Sequence, residues 1–445
     1  MKKIAQSALR VILNIPLYMD YILGRTSHYG GSAGSNDKMY YDAESIKKAE
    51  ESLRKMEDGR DIYDHELLVP INELAQLYMK DGRYPEAEKF YARSLDILER
   101  ELGPGHGGIA PVLCHMGSAC LEQGKYGEAE ELFLKALRSA ETGFGAEGLI
   151  VASSLERLGV AVTFQGRYSE AEIILKRSLE MAKKAGSTNH GVVSAVLKGL
   201  AGVYFMQNWH EAAHGFYKNS FEVRKKVFGS NHLLTAESRY DLGRVLSARG
   251  KYDRAEPYLE RALDTQDKLL RDDHPHAERT VDELANAYYY QGKYTEAIRF
   301  FERSLATKER KLGPDHMGVA FILGNIGHAY YYGRKSAMAE PLYRRALAIT
   351  EKAMGHEHRE TALKSGTLAA SCLAQGKLEE AKQMCAQSLS ILEAEPEPDY
   401  PNLANLYALM GQLYKRMGRK EDGKRYADLA KTLRRKLELE MVMNP

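Results

Sequence analysis

The sequence predicts an all-α fold in which helix-turn-helix units stack into a right-handed superhelical solenoid. Three observations predict it: a glycine-containing turn recurs every 42 residues, apolar and small residues recur at fixed distances from that turn, and glycine-rich loops separate the units. A solenoid grows by adding units. The length of 445 residues therefore does not imply three separate globular domains.

The turns mark the units. The sequence Gly-(Lys/Arg)-Tyr begins at Gly82, Gly124, Gly166, Gly250 and Gly292, and Gly376 and Gly418 continue the series with another third residue. The two remaining positions hold Asn208, a residue type that tolerates the left-handed conformation, and Arg334, which Gly333 precedes. We therefore expect nine units without insertion or deletion between residues 82 and 418, with Gly333 relieving the turn at Arg334.

Apolar and small residues recur around each turn. Eight residues before it stands a large apolar side chain, Leu74 in the first unit, which Ala or Gly follows. Five residues after it stands an alanine in most units, Ala87 in the first. These distances suit one face of a helix, and a large residue beside a small one lets two helices pack about 8–10 Å apart. Each unit is thus predicted to be helix A, a tight turn and helix B.

The boundaries of the array follow from the same periodicity. Residues 43–60 match a helix B without its helix A, which would cap one end, and residues 61–439 hold nine repeats with a C-terminal capping helix. Lys431 occupies a position that is apolar in the other units, as suits a cap. Residues 1–29 form an apolar and basic segment, 30–42 a flexible linker by composition and 440–445 a tail.

The motifs Gln-Gly-Lys-Tyr-x-Glu-Ala, Arg-Ala-Leu and Leu-Gly-Pro-Asp-His resemble the 42-residue tetratricopeptide repeats of kinesin light chain and its bacterial relatives, over residues 43–439. The resemblance implies a scaffold or adaptor that binds a protein or peptide client in a concave groove. The Asn that contacts peptides in that family is present only as Asn325, so its peptide preference is not carried over. No long heptad coiled coil precedes the repeats, which gives no evidence for kinesin heavy chain as a partner.

Composition and motifs exclude several other functions. A formal net charge of +2 gives no case for nucleic acid as a partner. Four cysteines without a CxxC pair form neither a disulfide framework nor a zinc motif, which favours a reducing cytoplasm. No phosphate-binding loop, HExxH or nucleophile elbow occurs. We expect no enzyme, no catalytic residue, no cofactor and no metal, since a catalytic set would have to assemble from different units.

Histidine recurs at one position in six of the loops between units: His106, His190, His232, His274, His316 and His358. Equivalent residues of stacked helices lie on the order of 10 Å apart. Zinc ligands lie about 2.1 Å from one ion, so these side chains cannot share a metal. We expect them to cap the following helix A or to pack within the loop.

The predicted binding site is the groove side of helix A in units 6 and 7. Tyrosine is enriched at interfaces, and Asn and Glu can pair with a peptide backbone. Tyr288 and Tyr330 stand at the position that Tyr78, Tyr204 and Tyr414 hold in other units and are expected in the core. The expected groove residues are Glu283, Asn286, Tyr289, Tyr290, Asn325, His328, Tyr331 and Tyr332.

An alternative function is a membrane-associated assembly factor, which would use residues 4–23 and a basic C-terminal helix. Residues 4–23 are apolar, but Arg10 and Pro16 interrupt them, so a spanning helix is not expected. They could be a surface helix on a membrane, a docking helix, a signal segment, a disordered segment or a grafted peptide. The basic residues of 415–436 could contact an acidic partner or lipid headgroups, or simply face solvent.

Overall fold

The computed structural model describes residues 43–185, 190–396 and 398–443. In this part of the chain the secondary structure consists of 19 α-helices and two short 3-10 helices, without a β-strand. The predicted all-α solenoid of helix-turn-helix units is confirmed. The N-terminal segment 1–29 and the linker 30–42 lie outside the described residues.

The helices divide into two compact parts, called the first unit and the second unit from here on, with the boundary in the sequence between Thr280 and Val281. The helix-turn-helix units are called repeats. The first unit contains α1 (Ala43–Glu57), α2 (Leu68–Asp81), α3 (Tyr84–Leu102), α4 (Ala110–Glu122), α5 (Tyr126–Phe144), α6 (Leu149–Phe164), α7 (Tyr168–Lys184), α8 (His190–Met206), α9 (His210–Phe228), α10 (Leu233–Ala248) and α11 (Tyr252–Leu269). The 3-10 helices His65–Leu67 and Gly107–Ile109 precede α2 and α4.

The boundary falls within α12 (Pro275–Tyr290). The second unit continues with α13 (Tyr294–Leu312), α14 (Met317–Tyr332), α15 (Ser336–Met354), α16 (Arg359–Ala374), α17 (Leu378–Glu393), α18 (Tyr400–Arg416) and α19 (Lys420–Met443). The last helix extends past residue 439 into the segment expected as a tail.

The turns between helix A and helix B have the conformation that their glycines predict. Gly82 ends α2 with φ 78°, and its N–H donates to the carbonyl oxygen of Met79. Asn208 and Arg334 adopt the same left-handed conformation, each with φ 61°. The expectation that Gly333 would relieve the turn at Arg334 is wrong, because Gly333 has φ −71°. The turn keeps its register, and Arg334 itself adopts the left-handed conformation, which is unfavourable for a residue with a Cβ.

Small residues in helix A let the long side chains of helix B reach the core. A Cβ on Gly117 would lie 2.6 Å from the Phe133 ring, and one on Gly327 would lie 2.5 Å from the Tyr343 ring. Both rings are buried. At these two positions the ring therefore fills the space that the glycine leaves without a side chain.

Within the first unit, the loop before α12 contacts the turn that follows α2. The Arg271 guanidinium, in the loop before α12, lies 3.0 Å from the buried Asp81 carboxylate at the end of α2. A Cβ on Gly82 would lie 2.7 Å from Pro275 Cδ. The turn after α2 thus packs against the loop between α11 and α12, 190 residues later in the sequence.

Candidate peptide-binding groove

One side of α14 carries a row of four residues that are exposed or half-buried. Phe321, Asn325, His328 and Tyr332 are spaced by four, three and four residues, which places them on one side of the helix. Phe321 and Tyr332 are exposed to 60% and 57%. Three of these residues were predicted, whereas Phe321 was not. Its signal in the sequence is the same helical spacing from Asn325.

Four tyrosine rings of α12 and α14 form one contiguous cluster. The ring centroids of Tyr289 and Tyr290 lie 5.2 Å apart, those of Tyr331 and Tyr332 lie 5.4 Å apart, and those of Tyr289 and Tyr332 lie 6.1 Å apart. Tyr289 and Tyr331 are half-buried, and Tyr290 is exposed to 62%. The structure thus brings together all four predicted tyrosines, two of them half-buried and two exposed. We call them the tyrosine cluster.

The neighbouring tyrosines of the same helices are part of the core, as expected. Tyr288 is buried and stacks on Phe300 with ring centroids 5.6 Å apart. Tyr330 is partly buried and packs against the apolar core of the second unit. Tyr331 packs against the same core, so this half-buried ring supports the fold as well as belonging to the tyrosine cluster.

The remaining predicted residues provide polar groups beside the tyrosine cluster. Glu283 and Asn286 of α12 and Asn325 of α14 are half-buried. The His328 ring lies 5.5 Å from the Tyr343 ring, and burial, with a smaller contribution from Lys364, lowers its pKa to about 4. At neutral pH His328 therefore has one ring nitrogen that donates and one that accepts.

Lys364 of α16 lies against α14, a contact that the sequence did not reveal. Its Nζ lies 3.4 Å from the position that a Cβ on Gly324 would occupy, so the ammonium sits over a part of α14 without a side chain. Burial lowers the pKa of Lys364. Burial and the neighbouring Tyr332 raise the pKa of Tyr331, so its hydroxyl stays protonated and can donate. The groove combines aromatic surface with donors and acceptors, which suits a peptide segment.

The loop histidines cap the helices that follow them. Five Nδ1 atoms accept the backbone N–H two residues later at 3.0–3.1 Å: His106, His232, His274, His316 and His358. The expectation that they cap helix A is confirmed for four of these, whereas His106 caps the 3-10 helix that precedes α4. His190 begins α8, and the loop before it, 186–189, lies outside the described residues.

The lowered pKa values of two capping histidines predict how the free energy of unfolding depends on pH. Burial lowers the pKa of His232 to about 4 and that of His274 to about 3. Since the unfolded histidines bind a proton below about pH 6.5, the unfolded state gains protons that the folded state does not. Their contribution is present above pH 6.5 and is lost as the pH falls towards 4. We expect the free energy of unfolding to drop by about 1–2 kcal/mol per histidine between pH 7 and pH 5.

The matched variant is His232→Asn, whose side-chain oxygen also caps a helix but does not titrate in this range. Urea unfolding at pH 7 and at pH 5 should show a smaller pH effect in the variant. The nearby Glu237 and Arg224 remain in both proteins and act on the imidazole in opposite directions. An unchanged pH effect in His232→Asn would show that this histidine does not cause it.

Among the described residues, two equivalent groups could offer ligands to a metal: Glu88, Cys120 and Glu128, and Glu340, Cys372 and Glu380. An ammonium group already occupies each, since Lys125 Nζ lies 2.9 Å from Glu88 and Lys377 Nζ lies 2.5 Å from Glu340. Burial raises the pKa of both thiols to about 11, so neither is a thiolate at neutral pH. The donor set fits an ion pair between successive repeats better than a metal.

The repeats match a known family. A family model described as tetratricopeptide repeat matches residues 66–142, 150–222, 193–268, 277–352 and 359–435, which together cover more than half of the chain. The chain belongs to the tetratricopeptide repeat family. This confirms the membership expected from the repeated motifs. Repeats of this family generally build non-enzymatic scaffolds that bind proteins or peptides, and the match indicates no catalytic family.

Solved structures share the repeat. The kinesin light chain nearly identical TPR-like repeats of Podosopora anserina are 26% identical and cover 44% of this chain and 92% of that one, with a TM-score of 0.41. The apo form of RapI is 14% identical, covers 74% of this chain and 98% of its own, and has a TM-score of 0.57. A signal transduction ATPase with a tetratricopeptide repeat sensor from Pyrococcus horikoshii is 14% identical over 79% of this chain and 53% of its own, also with a TM-score of 0.57. A search of curated proteins finds no match.

Proposed function

We propose that this tetratricopeptide repeat protein is an adaptor whose second unit binds a segment of a client protein on the tyrosine cluster. The observation that carries the proposal is the contiguity of four tyrosine rings, two of them more than half exposed. Exposed aromatic residues grouped in one place are unusual on a surface that only faces water. They offer a large contact area with little side-chain entropy to lose on binding.

The groove chemistry defines the client segment. An apolar or aromatic side chain of the client would rest on Tyr290 and Tyr332, over the half-buried rings of Tyr289 and Tyr331. The amides of Asn286 and Asn325 can each donate to and accept from the peptide backbone. Lys364 and neutral His328 add donors along α14, which favour a carbonyl or a carboxylate of the client there.

The alternative is a membrane-associated assembly factor. It depends on residues 4–23, which lie outside the described residues, and on the basic side chains of α19. None of the described helices has the length and hydropathy that crossing a bilayer requires. The cations of α19 line a concave groove, which favours a protein partner over a flat bilayer surface. We therefore propose a scaffold that works in the cytoplasm, where its four free, buried cysteines stay reduced.

The test is a quantitative comparison of proteins retained by three immobilised forms of the chain. These are the wild type, Tyr290→Ala/Tyr332→Ala and Phe164→Ala/Met206→Ala. Phe164 and Met206 occupy the equivalent positions of repeats 3 and 4 and are similarly exposed. A client of the proposed groove is a protein that the wild type and the Phe164/Met206 variant retain and the tyrosine variant loses. Identical sets of proteins on all three would remove the tyrosine cluster as the client site.

A further inference from the structure

The two last helices enclose a groove that the tyrosine cluster does not reach. Close packing joins α18 and α19 near their shared turn, where a Cβ on Gly411 would lie 3.1 Å from the carbonyl oxygen of Gly423. Small residues line the groove along both helices, among them Ala408, Ala427 and Ala430, and its volume is about 900 Å³. The floor is thus apolar and shallow enough for side chains of another helix to reach the backbone.

The rim of this groove is strongly basic. Six cations line it: Lys415, Lys420, Lys424, Lys431, Arg434 and Arg435. Glu438 is its one carboxylate. Within the described part of the chain, none of the six forms an ion pair, and the recorded contact of Arg434 is to the neutral amide of Asn405. A solvated cap can be polar with both signs of charge, whereas this face carries essentially one sign.

The preceding pair of helices shows what such a groove receives. Leu389 and Leu392 of α17 are buried in one apolar cluster with Leu403 and Leu406 of α18. Leu406 Cδ2 approaches to 2.7 Å of the position of a Cβ on Gly366 in α16. The groove between helix A and helix B of one repeat therefore holds the next helix A.

One repeat later, the same positions have changed from apolar to cationic. Ala408 stands where Gly366 stood and can still receive a side chain of an incoming helix. Lys431 and Arg434 replace the buried Leu389 and Leu392, and both are exposed. A helix entering this groove would keep small apolar contacts along its centre and meet lysine and arginine along its edges.

We propose that the α18–α19 groove binds an acidic amphipathic helix of a partner protein. The partner helix carries Leu or Ala at i, i+3, i+4 and i+7 towards Ala408, Gly411 and Ala427, with Glu or Asp on its flanks towards the six cations. Charge complementarity selects this partner, because a neutral or basic helix would leave the cations unpaired or repelled. The groove lies on the last pair of helices and its occupancy does not depend on the tyrosine cluster.

A membrane surface is the other source of anionic charge, and the geometry disfavours it. Lipid headgroups present a plane, which would contact the exposed edge of α19 and leave the apolar floor of the groove empty. A helix about 10 Å wide fills the same kind of groove that α18 fills against α16 and α17. The two sources predict different responses to a change in groove shape.

The probe is a fluorescein-labelled peptide of three Glu-Leu-Ala-Glu-Glu-Leu-Ala heptads, titrated with the full chain and followed by fluorescence anisotropy. Controls are the same peptide with Lys in place of Glu, and a peptide of the same composition whose Leu and Ala lack helical spacing. We expect binding of the acidic helix alone, with affinity that falls as salt is raised because exposed charges are screened.

Two variants separate charge from shape. Lys431→Glu/Arg434→Glu/Arg435→Glu should weaken binding by at least about tenfold. The matched control is Lys89→Glu/Lys135→Glu/Lys218→Glu, three exposed lysines on the helix B surfaces of the first unit, which should leave the affinity unchanged. Ala427→Gln keeps all six cations but fills the floor of the groove, and it should weaken binding as well. Circular dichroism of each variant verifies that the helices remain folded.

Three outcomes overturn the proposal. Equal loss in the Lys89/Lys135/Lys218 control would show a non-specific charge effect. Unchanged binding in Ala427→Gln would show that the peptide lies on the rim and not in the groove. Flotation with vesicles of phosphatidylcholine and phosphatidylserine that is lost in the Lys431/Arg434/Arg435 variant, with no peptide binding by the wild type, would assign the basic face to lipid.

Discussion

Replacing Tyr290 and Tyr332 together by alanine is expected to weaken binding of a groove client by about a hundredfold. A well-packed aromatic anchor at an interface contributes about 2 kcal/mol, and contributions of neighbouring anchors add incompletely. We therefore expect a joint loss of about 3 kcal/mol, at 1.4 kcal/mol for each factor of ten. The measurement is calorimetric titration of the client segment that the retained proteins define.

The same substitution should leave the protein folded. Both side chains are more than half exposed, so little buried area is lost from the fold when they are removed. Thermal unfolding of the double variant should therefore resemble that of the wild type. The matched pair Phe164→Ala/Met206→Ala should show the same stability and an unchanged affinity. A stable tyrosine variant that binds the client as tightly as the wild type would contradict the proposed site.

The fold could be predicted from the sequence because each repeat encodes it locally. A turn such as Gly82 needs a residue in the left-handed conformation. The small residue of helix A, Gly117 for example, leaves room for a large side chain of helix B. Both requirements recur with the same period. The exception is Arg334, which takes the left-handed conformation although a glycine precedes it. Packing of the neighbouring repeats fixes the turn register more strongly than the local preference of one residue.

The site could be predicted only in part, because the pattern of one repeat records local contacts and not contacts between repeats. Helical spacing placed the tyrosines on the exposed side of α12 and α14, and the structure brings them into contact. Helical spacing did not reveal Lys364, which approaches α14 from the next repeat at the space left by Gly324. The contact of Asp81 with Arg271 was also not predictable. It depends on small rotations accumulated over several repeats, and no local pattern records their sum.

The small position of helix A gives a second large effect, on stability. Gly117→Ala places a methyl group 2.6 Å from the Phe133 ring, which is fully buried and cannot turn aside without displacing other core residues. Overpacking of this kind costs about 1–3 kcal/mol. The higher helix propensity of alanine offsets up to about 1 kcal/mol of this cost. We expect Gly117→Ala to lower the free energy of urea unfolding.

Gly215→Ala is the matched control, because it makes the same chemical change inside helix α9 where no atom lies within 4 Å of the added methyl group. There the packing cost is absent and the gain in helix propensity remains, so this variant should be more stable than the wild type by about 0.5–1 kcal/mol. The two substitutions therefore have opposite expected signs. If both stabilise the protein, the ring of Phe133 can move aside, and packing does not require a glycine at position 117. If both destabilise it, the open space at Gly215 is occupied in solution.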